Sequence, residues 1–310
     1  MRNAFVNALV DLADSDPAIV LLTGDLGYTV LEPFADRYPN RFFNAGVAEQ
    51  NMVGVATGLA QDGFRPFVYS IATFASMRAY EFVRNGPVLH DLPVCVVGVG
   101  GGVDYGHNGV THYALEDIAL MRAQPRMTVL APADREQAAA VVRTIPALEG
   151  PAYLRLGKGG TPVPGLDGRF RPGRLETLGD GKDVAIVTYG SIAGEAVAAA
   201  DLLSDRGLSA TVAVAASLAP PPVDDLVELL SEVPLAVTVE SHYVTGGIGS
   251  LVAEVAAERD LGCRLVLRGI ETMPSGDTGS PEYLTERHRL SAGHVADAVA
   301  RALQVPDARG

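Results

Sequence analysis

The amino-acid sequence predicts an α/β protein made of two doubly wound domains. Short β-branched runs alternate with longer helical stretches along the 310 residues, a pattern typical of parallel sheets with crossover helices. The strand-like runs are apolar throughout, as expected for strands that are covered on both faces. A segment rich in Gly and Pro, residues 157–182, has no helical period and separates two halves that are each long enough to form a core.

The elements follow in chain order within this plan. The first domain, residues 1–165, has predicted strands at 18–22, 65–70, 94–99, 128–131 and 152–155. A linker is placed at residues 166–182. The second and smaller domain, residues 183–310, has predicted strands at 184–188, 210–215, 235–239 and 264–268, and helices at 194–205 and 249–259.

Composition and charge exclude several classes of function. No apolar run approaches the roughly 20 residues that cross a bilayer, and residues 1–11 resemble an amphipathic helix more than a signal peptide, so we expect a cytoplasmic protein that binds no membrane. Acidic residues outnumber basic ones by 37 to 24, and the net charge of -13 argues against nucleic acid as a partner. Cys95 and Cys263 are predicted core residues, because two distant thiols form neither a disulfide framework nor a metal cluster.

Glu49 is the one carboxylate in a small, apolar run, residues 46–60. If the run is a helix, Glu49 lies near its start on a largely buried surface. An unpaired buried carboxylate costs several kcal/mol, roughly, unless it shares a proton or a hydrogen bond with a ligand. The alternative is a helix-terminal carboxylate that is satisfied by free backbone N–H groups and by the helix dipole.

The sequence around Glu49 resembles the pyrimidine-binding half of the transketolase family. The resemblance rests on ordered blocks: RFFNAGVAEQN at 41–51, GFRP at 63–66, TFASMRAYE at 73–81, NGVTH at 108–112 and ALEDIALMR at 114–122. It extends over nearly the whole chain, since the second half resembles the family's carboxy-terminal domain. It implies thiamine diphosphate as cofactor, with the glutamate at the position of Glu49 sharing a proton with the aminopyrimidine ring.

The resemblance also implies which residues contact the cofactor. Phe74 matches an aromatic residue that packs on the aminopyrimidine face, although a plain core position is the alternative. Asp25 matches an acidic residue close to the cofactor at the end of the first strand, where such sheets bind ligands; an Asx turn or helix cap would explain it equally well. Arg78, in the same block as Phe74, is a further cofactor-binding candidate.

Substrate contacts are implied for the block that ends at His112. A histidine there can hydrogen-bond substrate oxygens at neutral pH, so His112 is assigned to catalysis and to substrate binding. His107 and Asn108 precede it as substrate-binding candidates. Arg155 matches the strand end where the family binds the substrate phosphate, with Lys158 as a weaker candidate and a surface salt bridge as the alternative.

Departures from the family pattern lie on the acceptor side of the site. Asn108 stands where the family usually has Asp, and Val99 and Gly100 stand where it has a Thr-His pair. These changes predict thiamine chemistry with a substrate other than an ordinary pentose or aldose phosphate. The glycines at 98–102 lack the spacing of a dinucleotide-binding motif and are predicted to form a loop.

The diphosphate-binding motif of the family is missing. Gly179-Asp180-Gly181 resembles its first residues, but the motif requires a downstream Asn and none follows Asn108. The chain therefore resembles the carboxy-terminal subunit of a split transketolase, whose amino-terminal partner supplies the diphosphate domain and the Mg²⁺ ligands. A two-fold heterotetramer is expected, in which this chain also associates with itself.

The second domain offers one further block, residues 239–250. Its glycines at 246, 247 and 249 are assigned to subunit association, and His242 is expected at the surface.

For the whole chain, the leading prediction is transfer of a two-carbon ketol unit from a ketose. The alternatives are a 2-oxoacid dehydrogenase beta subunit, a deoxyxylulose-phosphate synthase-like carboligase, or a non-catalytic scaffold, against which Glu49, Phe74 and His112 argue.

Overall fold

The computed structural model describes residues 1–304, which form two sheets with helices packed against their faces. The strands are β1 Ile19–Thr23, β2 Phe42–Asn44, β3 Arg65–Ile71, β4 Cys95–Val99, β5 Thr128–Leu130, β6 Ala152–Leu156, β7 Glu176–Leu178, β8 Val184–Thr188, β9 Ala210–Val214, β10 Ser217–Ala219, β11 Leu235–Tyr243 and β12 Arg264–Ile270. The helices are α1 Arg2–Ser15, α2 Glu32–Arg37, α3 Glu49–Gln61, α4 Tyr80–Val83, α5 Asp117–Arg122, α6 Arg135–Thr144, α7 Ala193–Ser204, α8 Val223–Glu232, α9 Ile248–Glu258, α10 Pro281–Arg287 and α11 Ala292–Leu303.

The predicted α/β fold with two doubly wound domains is confirmed. The first sheet has the order β10-β5-β6-β4-β3-β1-β2 and the second has β12-β11-β8-β9-β7. Pairing is parallel except at β10 and β7, which are the antiparallel edge strands. Every residue of β1, β4, β6 and β8 is buried, which explains why these strands are continuous apolar runs in the sequence.

Three short strands lie outside the predicted set. β2, β7 and β10 each have three residues and each lies at the edge of a sheet. β7 falls within the predicted linker, and β10 joins the first sheet although it follows β9 of the second. Such short strands are stabilised by pairing with distant segments, and three residues carry too little local pattern to predict them.

A buried polar cluster joins the two domains. Arg155 of β6 forms an ion pair with Asp117, its Nε 3.3 Å from Oδ2, and donates from Nη1 to the Tyr189 hydroxyl at 3.0 Å. Tyr189 in turn donates to Glu240 of β11, which also accepts the backbone N–H groups at the start of α9. His242 belongs to the same cluster and is fully buried, so its expected surface position is wrong.

The contacts of His242 explain its burial. The Ala119 N–H donates to His242 Nε2 at 3.3 Å, which places the ring proton on Nδ1, where it is donated to the Tyr243 carbonyl at 2.7 Å. The adjacent Gly246 packs against Ala119, because a Cβ atom at Gly246 would lie 2.4 Å from the Ala119 side chain. This part of the glycine-rich block therefore packs within the chain, between the second domain and α5.

Two members of the cluster have strongly shifted titration behaviour. Burial raises the pKa of Glu240 to about 7, against hydrogen bonds from Gly249, Ile248 and Tyr189 that lower it. Burial also lowers the pKa of His242 to about 4. Arg155 and Asp117 are the other charged groups that act on them.

These shifts predict opposite effects of pH on stability. The folded state keeps the Glu240 proton up to about pH 7 while the unfolded state loses it near 4.5, so this contribution to stability falls as pH rises through that window. His242 stays neutral when folded but protonates near 6.5 when unfolded, so its contribution grows as pH rises from about 4. Glu240→Gln removes the falling contribution and leaves the rising one. Between about pH 5.5 and 6.5, the slope of the free energy of unfolding against pH should therefore be more positive than in the wild type by about 1 kcal/mol per pH unit.

Urea unfolding at several pH values measures this slope. Glu258→Gln, which changes an exposed carboxylate at the end of α9, is the control and should leave the slope unchanged. Parallel stability curves for Glu240→Gln and the wild type would contradict the assignment.

Candidate active site

Glu49 is the first residue of α3 and is only 3% exposed. Its carboxylate lies beyond the carboxyl ends of β1 and β3, where it accepts hydrogen bonds from side chains. Ser70 Oγ donates to Oε1 at 3.0 Å, and Arg78 Nη1 lies 3.1 Å from Oε2 and 3.3 Å from Oε1. Gly24 follows β1 and borders the carboxylate, since a Cβ there would lie at van der Waals distance, 3.6 Å, from Oε1.

An aromatic and cationic stack covers the same carboxylate. Phe74 and Arg78 lie on one irregular helical turn after β3, and the Arg78 guanidinium carbon is 3.9 Å from the centroid of the Phe74 ring. The His112 ring approaches Phe74 edge-on at 5.2 Å between centroids. The structure thus brings together Glu49, Phe74, Arg78 and His112, three predicted cofactor contacts and the predicted substrate histidine.

Asp25 lies at the adjacent strand end, in a left-handed backbone conformation with φ of 59°. Its Oδ1 accepts hydrogen bonds from Asn44 Nδ2 at 2.9 Å and from the Tyr28 hydroxyl at 2.7 Å, and these donors hold the pKa of Asp25 below its usual range. Asn44 also accepts the Gly46 N–H at 2.9 Å. Asn44 therefore ties the loop of Asp25 to the loop that leads into α3, a role that the sequence did not suggest.

The remaining candidates lie on the loop after β4. His107 and Asn108 are exposed on a short helical turn, Gly106–Asn108. His112 bonds through Nδ1 to Thr111 Oγ1 at 3.0 Å, and Tyr105 lies 6.3 Å from the His112 ring. The Lys158 ammonium is 4.3 Å from the centroid of the Tyr105 ring, so it reaches this loop from the end of β6.

Arg155 is not brought to this group. Its side chain is buried between the domains, and it is hydrogen-bonded to Tyr189, Ala114 and Ser241 in addition to its ion pair with Asp117. Neither the predicted phosphate contact nor the alternative of a surface salt bridge describes these contacts. They favour a structural role for Arg155.

Two family models match the chain in tandem. The model described as "Transketolase, pyrimidine binding domain" matches residues 1–163, and "Transketolase, C-terminal domain" matches residues 173–295. The chain belongs to the transketolase family. The site around Glu49 lies wholly in the part matched by the pyrimidine-binding model.

Two relatives match this transketolase-family chain over most of both lengths, and a third matches it with less than half of its own length. A putative transketolase C-terminal section of Methanocaldococcus jannaschii is 37% identical over 300 residues, which cover 96% of this chain and 94% of that protein. One of the subunits of an apulose-4-phosphate transketolase, from Phocaeicola vulgatus, is 34% identical over 86% of each chain. A 1-deoxy-D-xylulose-5-phosphate synthase of Symbiobacterium thermophilum is 35% identical over 94% of this chain, but over only 45% of its own length.

The fold of a solved structure agrees with these sequence similarities. The structure of a split gene transketolase, an inactive beta4 tetramer, superimposes with a TM-score of 0.90 and 41% identity over 99% of both chains. Residues 1–304 of this transketolase-family chain therefore have the fold of one subunit of a split gene transketolase.

The residues near Glu49 suit the pyrimidine part of thiamine diphosphate. A buried carboxylate and an aromatic ring both contact the flat, cationic guanidinium of Arg78. These groups suit a flat heterocycle with a basic nitrogen, which could take the place of the guanidinium. Within residues 1–304, no cluster of three or more His, Cys, Asp or Glu side chains could hold a metal ion, and no helix is long and apolar enough to cross a membrane.

Proposed function

We propose that this chain is the pyrimidine-binding subunit of a two-chain, thiamine diphosphate-dependent transketolase that transfers a two-carbon ketol unit. The observation that carries the proposal is the buried carboxylate of Glu49 at the carboxyl edge of the first sheet, where the Arg78 guanidinium contacts both this carboxylate and the Phe74 ring. The full-length likeness to subunits of split transketolases supports the division into two chains.

The site residues have separate tasks in this reaction. Thiamine diphosphate, when bound, would supply a carbon nucleophile for a ketose carbonyl. Glu49, held out of water, would exchange a proton with a nitrogen of the cofactor's pyrimidine ring. Phe74 holds the ring plane by stacking. Asp25 and Asn44 order the neighbouring loops at the cofactor's edge.

Arg78 has to move when the cofactor binds. Its guanidinium lies over the face of Phe74 and within hydrogen-bond distance of Glu49, which are the two contacts that a pyrimidine ring requires. The side chain is 45% exposed, so it can turn towards solvent without opening the core. In the occupied site, Arg78 then lies beside the cofactor as a border residue.

Substrate binding is assigned to the loop that bears His107, Asn108 and His112. His112, next to Phe74, is placed to hydrogen-bond substrate oxygens close to the reacting carbon. Lys158 replaces Arg155 as the proposed contact for an anionic end group, because its ammonium is exposed on the side of Tyr105. Asn108 supplies an amide where the family has a carboxylate, which supports an unusual acceptor substrate. Rapid turnover of ordinary pentose phosphates would contradict the proposal of an unusual acceptor.

Exposed apolar side chains on the elements around Glu49 support assembly with other chains. They are Val47, Val55, Met77, Phe82 and Leu89, on α3, on the turn before it and on the helical turns between β3 and β4. Exposed apolar side chains that gather on neighbouring elements are typical of interfaces. We assign these side chains to contacts with the partner subunit and with a second copy of the chain, as in a heterotetramer.

Cofactor binding should therefore depend on the partner subunit. The sequence lacks the family's diphosphate motif, and no cluster of three or more His, Cys, Asp or Glu side chains in the described residues could hold Mg²⁺. We therefore expect thiamine diphosphate with Mg²⁺ to bind the assembled complex at least about 100-fold more tightly than this chain alone. Isothermal titration of the chain, of the partner and of the complex measures the difference. Tight binding by the isolated chain would contradict the proposal.

The deoxyxylulose-phosphate synthase-like alternative is kept because such a synthase matches 94% of this chain at 35% identity. The two activities differ in the donor, since a ketose phosphate gives up a two-carbon unit whereas pyruvate is decarboxylated. Product analysis of the complex with ketose phosphates, pyruvate and branched 2-oxoacids decides between them. Carbon dioxide release from pyruvate, without ketol transfer, would favour the alternative.

A further inference from the structure

We propose that the carboxy-terminal domain positions the substrate-binding loop of the site, and that Arg155 and Ser241 are the residues through which it does so. The loop in question, called the site loop, comprises residues 102–114 and carries His107, Asn108 and His112. Its contribution to catalysis rests on the proposed function, whereas its attachment rests on the contacts alone.

The two ends of the site loop are paired to each other. Gly102 and Ala114 exchange both backbone hydrogen bonds, each at 2.9 Å, and so close the loop at its base. His112 lies two residues before this base. A shift of the base by a fraction of an ångström is therefore passed directly to the His112 ring.

Arg155 holds that base against the second domain. Its Nη2 donates both to the Ala114 carbonyl at 3.2 Å and to the Ser241 carbonyl of β11 at 2.8 Å. The planar guanidinium thus joins the loop base to the strand with a single rigid group, which an ammonium on a flexible stem cannot reproduce. Its Nη1 contact with Tyr189 of the second domain fixes the orientation of the plane.

Ser241 holds the other side of the base. Its Oγ accepts the Val103 N–H at 3.3 Å, and a Cβ at Gly102 would lie only 2.0 Å from that oxygen. Gly101 is equally close to Arg155, because a Cβ at Gly101 would lie only 1.8 Å from the Arg155 Nε. These glycines let the backbone of the loop reach both side chains.

The second domain also contacts the loop further along. The Tyr113 hydroxyl donates to the Asp277 carbonyl at 2.6 Å, and the Gly279 N–H donates to the Gly106 carbonyl at 3.3 Å. The site loop is therefore fastened to the second domain at its base and at its middle. The cofactor contacts of Glu49 and Phe74 lie outside it, so the domain is expected to act on substrate binding and not on cofactor binding.

Hydrogen exchange measured by mass spectrometry tests the attachment in the isolated chain. Arg155→Lys keeps a positive charge beside Asp117 but loses the planar guanidinium and its several N–H donors. Ser241→Ala removes only the Oγ acceptor. Arg122→Lys is the matched control, because Arg122 also bonds to the second domain, at the Gly246 and Gly247 carbonyls, without touching the site loop.

We expect amides within residues 103–113 to exchange at least about tenfold faster in Arg155→Lys, less so in Ser241→Ala, and at the wild-type rate in Arg122→Lys. Unchanged exchange in both test variants, or an equal increase in the control, would overturn the inference. If Arg155→Lys fails to fold, Ser241→Ala decides alone, since it disturbs no buried charge.

Kinetics of the complex with its partner subunit give the functional test. In Arg155→Lys, kcat/KM for a ketose phosphate should fall about 10- to 100-fold, because the catalytic group is misplaced, while thiamine diphosphate affinity stays within about threefold of wild type. A parallel loss of cofactor affinity would overturn a role specific to the substrate loop. If the wild-type complex transfers no ketol unit, the proposed function fails, and the exchange experiment alone decides the positioning role.

Discussion

Replacing Glu49 by Ala should lower ketol transfer by about 10²- to 10⁴-fold while the protein stays folded, because it removes the carboxylate that we propose to exchange a proton with the cofactor. Folding should survive, since the Arg78 side chain is 45% exposed and can be solvated when its partner is removed. Glu49→Gln should be nearly as inactive, because an amide preserves the shape of the site but cannot take up the proton. Steady-state rates of the assembled complex at saturating cofactor, with circular dichroism of each variant, provide the measurement.

Glu136→Ala is the matched control for Glu49→Ala. Glu136 also lies in the first turn of a helix of the pyrimidine-binding domain, α6, but its side chain is exposed. If the role of Glu49 were only to neutralise the positive end of a helix, both substitutions would have similar small effects. Full activity of Glu49→Ala, or an equal loss in Glu136→Ala, would refute the catalytic assignment.

The sequence predicted the part of the site that is built from consecutive elements. Glu49, Phe74 and Arg78 lie within 30 residues of one another, on a helix and on the turn after the next strand. In a parallel sheet those positions meet at the carboxyl edge, whatever the details of packing. Their convergence is therefore a property of the topology, which the apolar periodicity already reveals.

The direction in which the Arg155 side chain points could not be predicted from the sequence. Arg155 lies on β6, whose five residues are all buried, so the strand has no polar face that could indicate which way each side chain points. The arginine lies between the second domain and the base of the site loop, whereas the ammonium of Lys158, three residues later and beyond the strand, lies against Tyr105 within the loop. Only the packing of the two domains distinguishes these residues.

The burial of His242 and the role of Asn44 were not predicted, for a related reason. His242 lies in a strand extension that reaches α5 of the other domain, and its burial depends on contacts more than 100 residues away in the sequence. Asn44 belongs to a three-residue edge strand, where local pattern is weak. Polar residues whose partners are distant in sequence are not marked by any periodicity, although each is well satisfied once the chain has folded.

Arg155→Met is expected to destabilise the fold by about 3–5 kcal/mol, because it leaves the carboxylate of Asp117 buried without its cation. Asp117 is 1% exposed, and its Oδ2 also accepts a hydrogen bond from the Tyr153 hydroxyl at 2.6 Å. A single neutral hydrogen bond cannot replace the interaction with a guanidinium. Urea unfolding at fixed protein concentration and pH measures the change in the free energy of unfolding.

The double variant Arg155→Met, Asp117→Leu separates the ion pair from simple loss of packing. When both charges are removed, the desolvation cost of each disappears, and most of the lost stability should return. Arg174→Met serves as the control, since Arg174 pairs with Asp225 at 2.7 Å but its side chain is 53% exposed, and such pairs contribute about 1 kcal/mol or less. An Arg155→Met variant as stable as Arg174→Met, or a double variant less stable than Arg155→Met, would show that the destabilisation does not come from this buried charge pair.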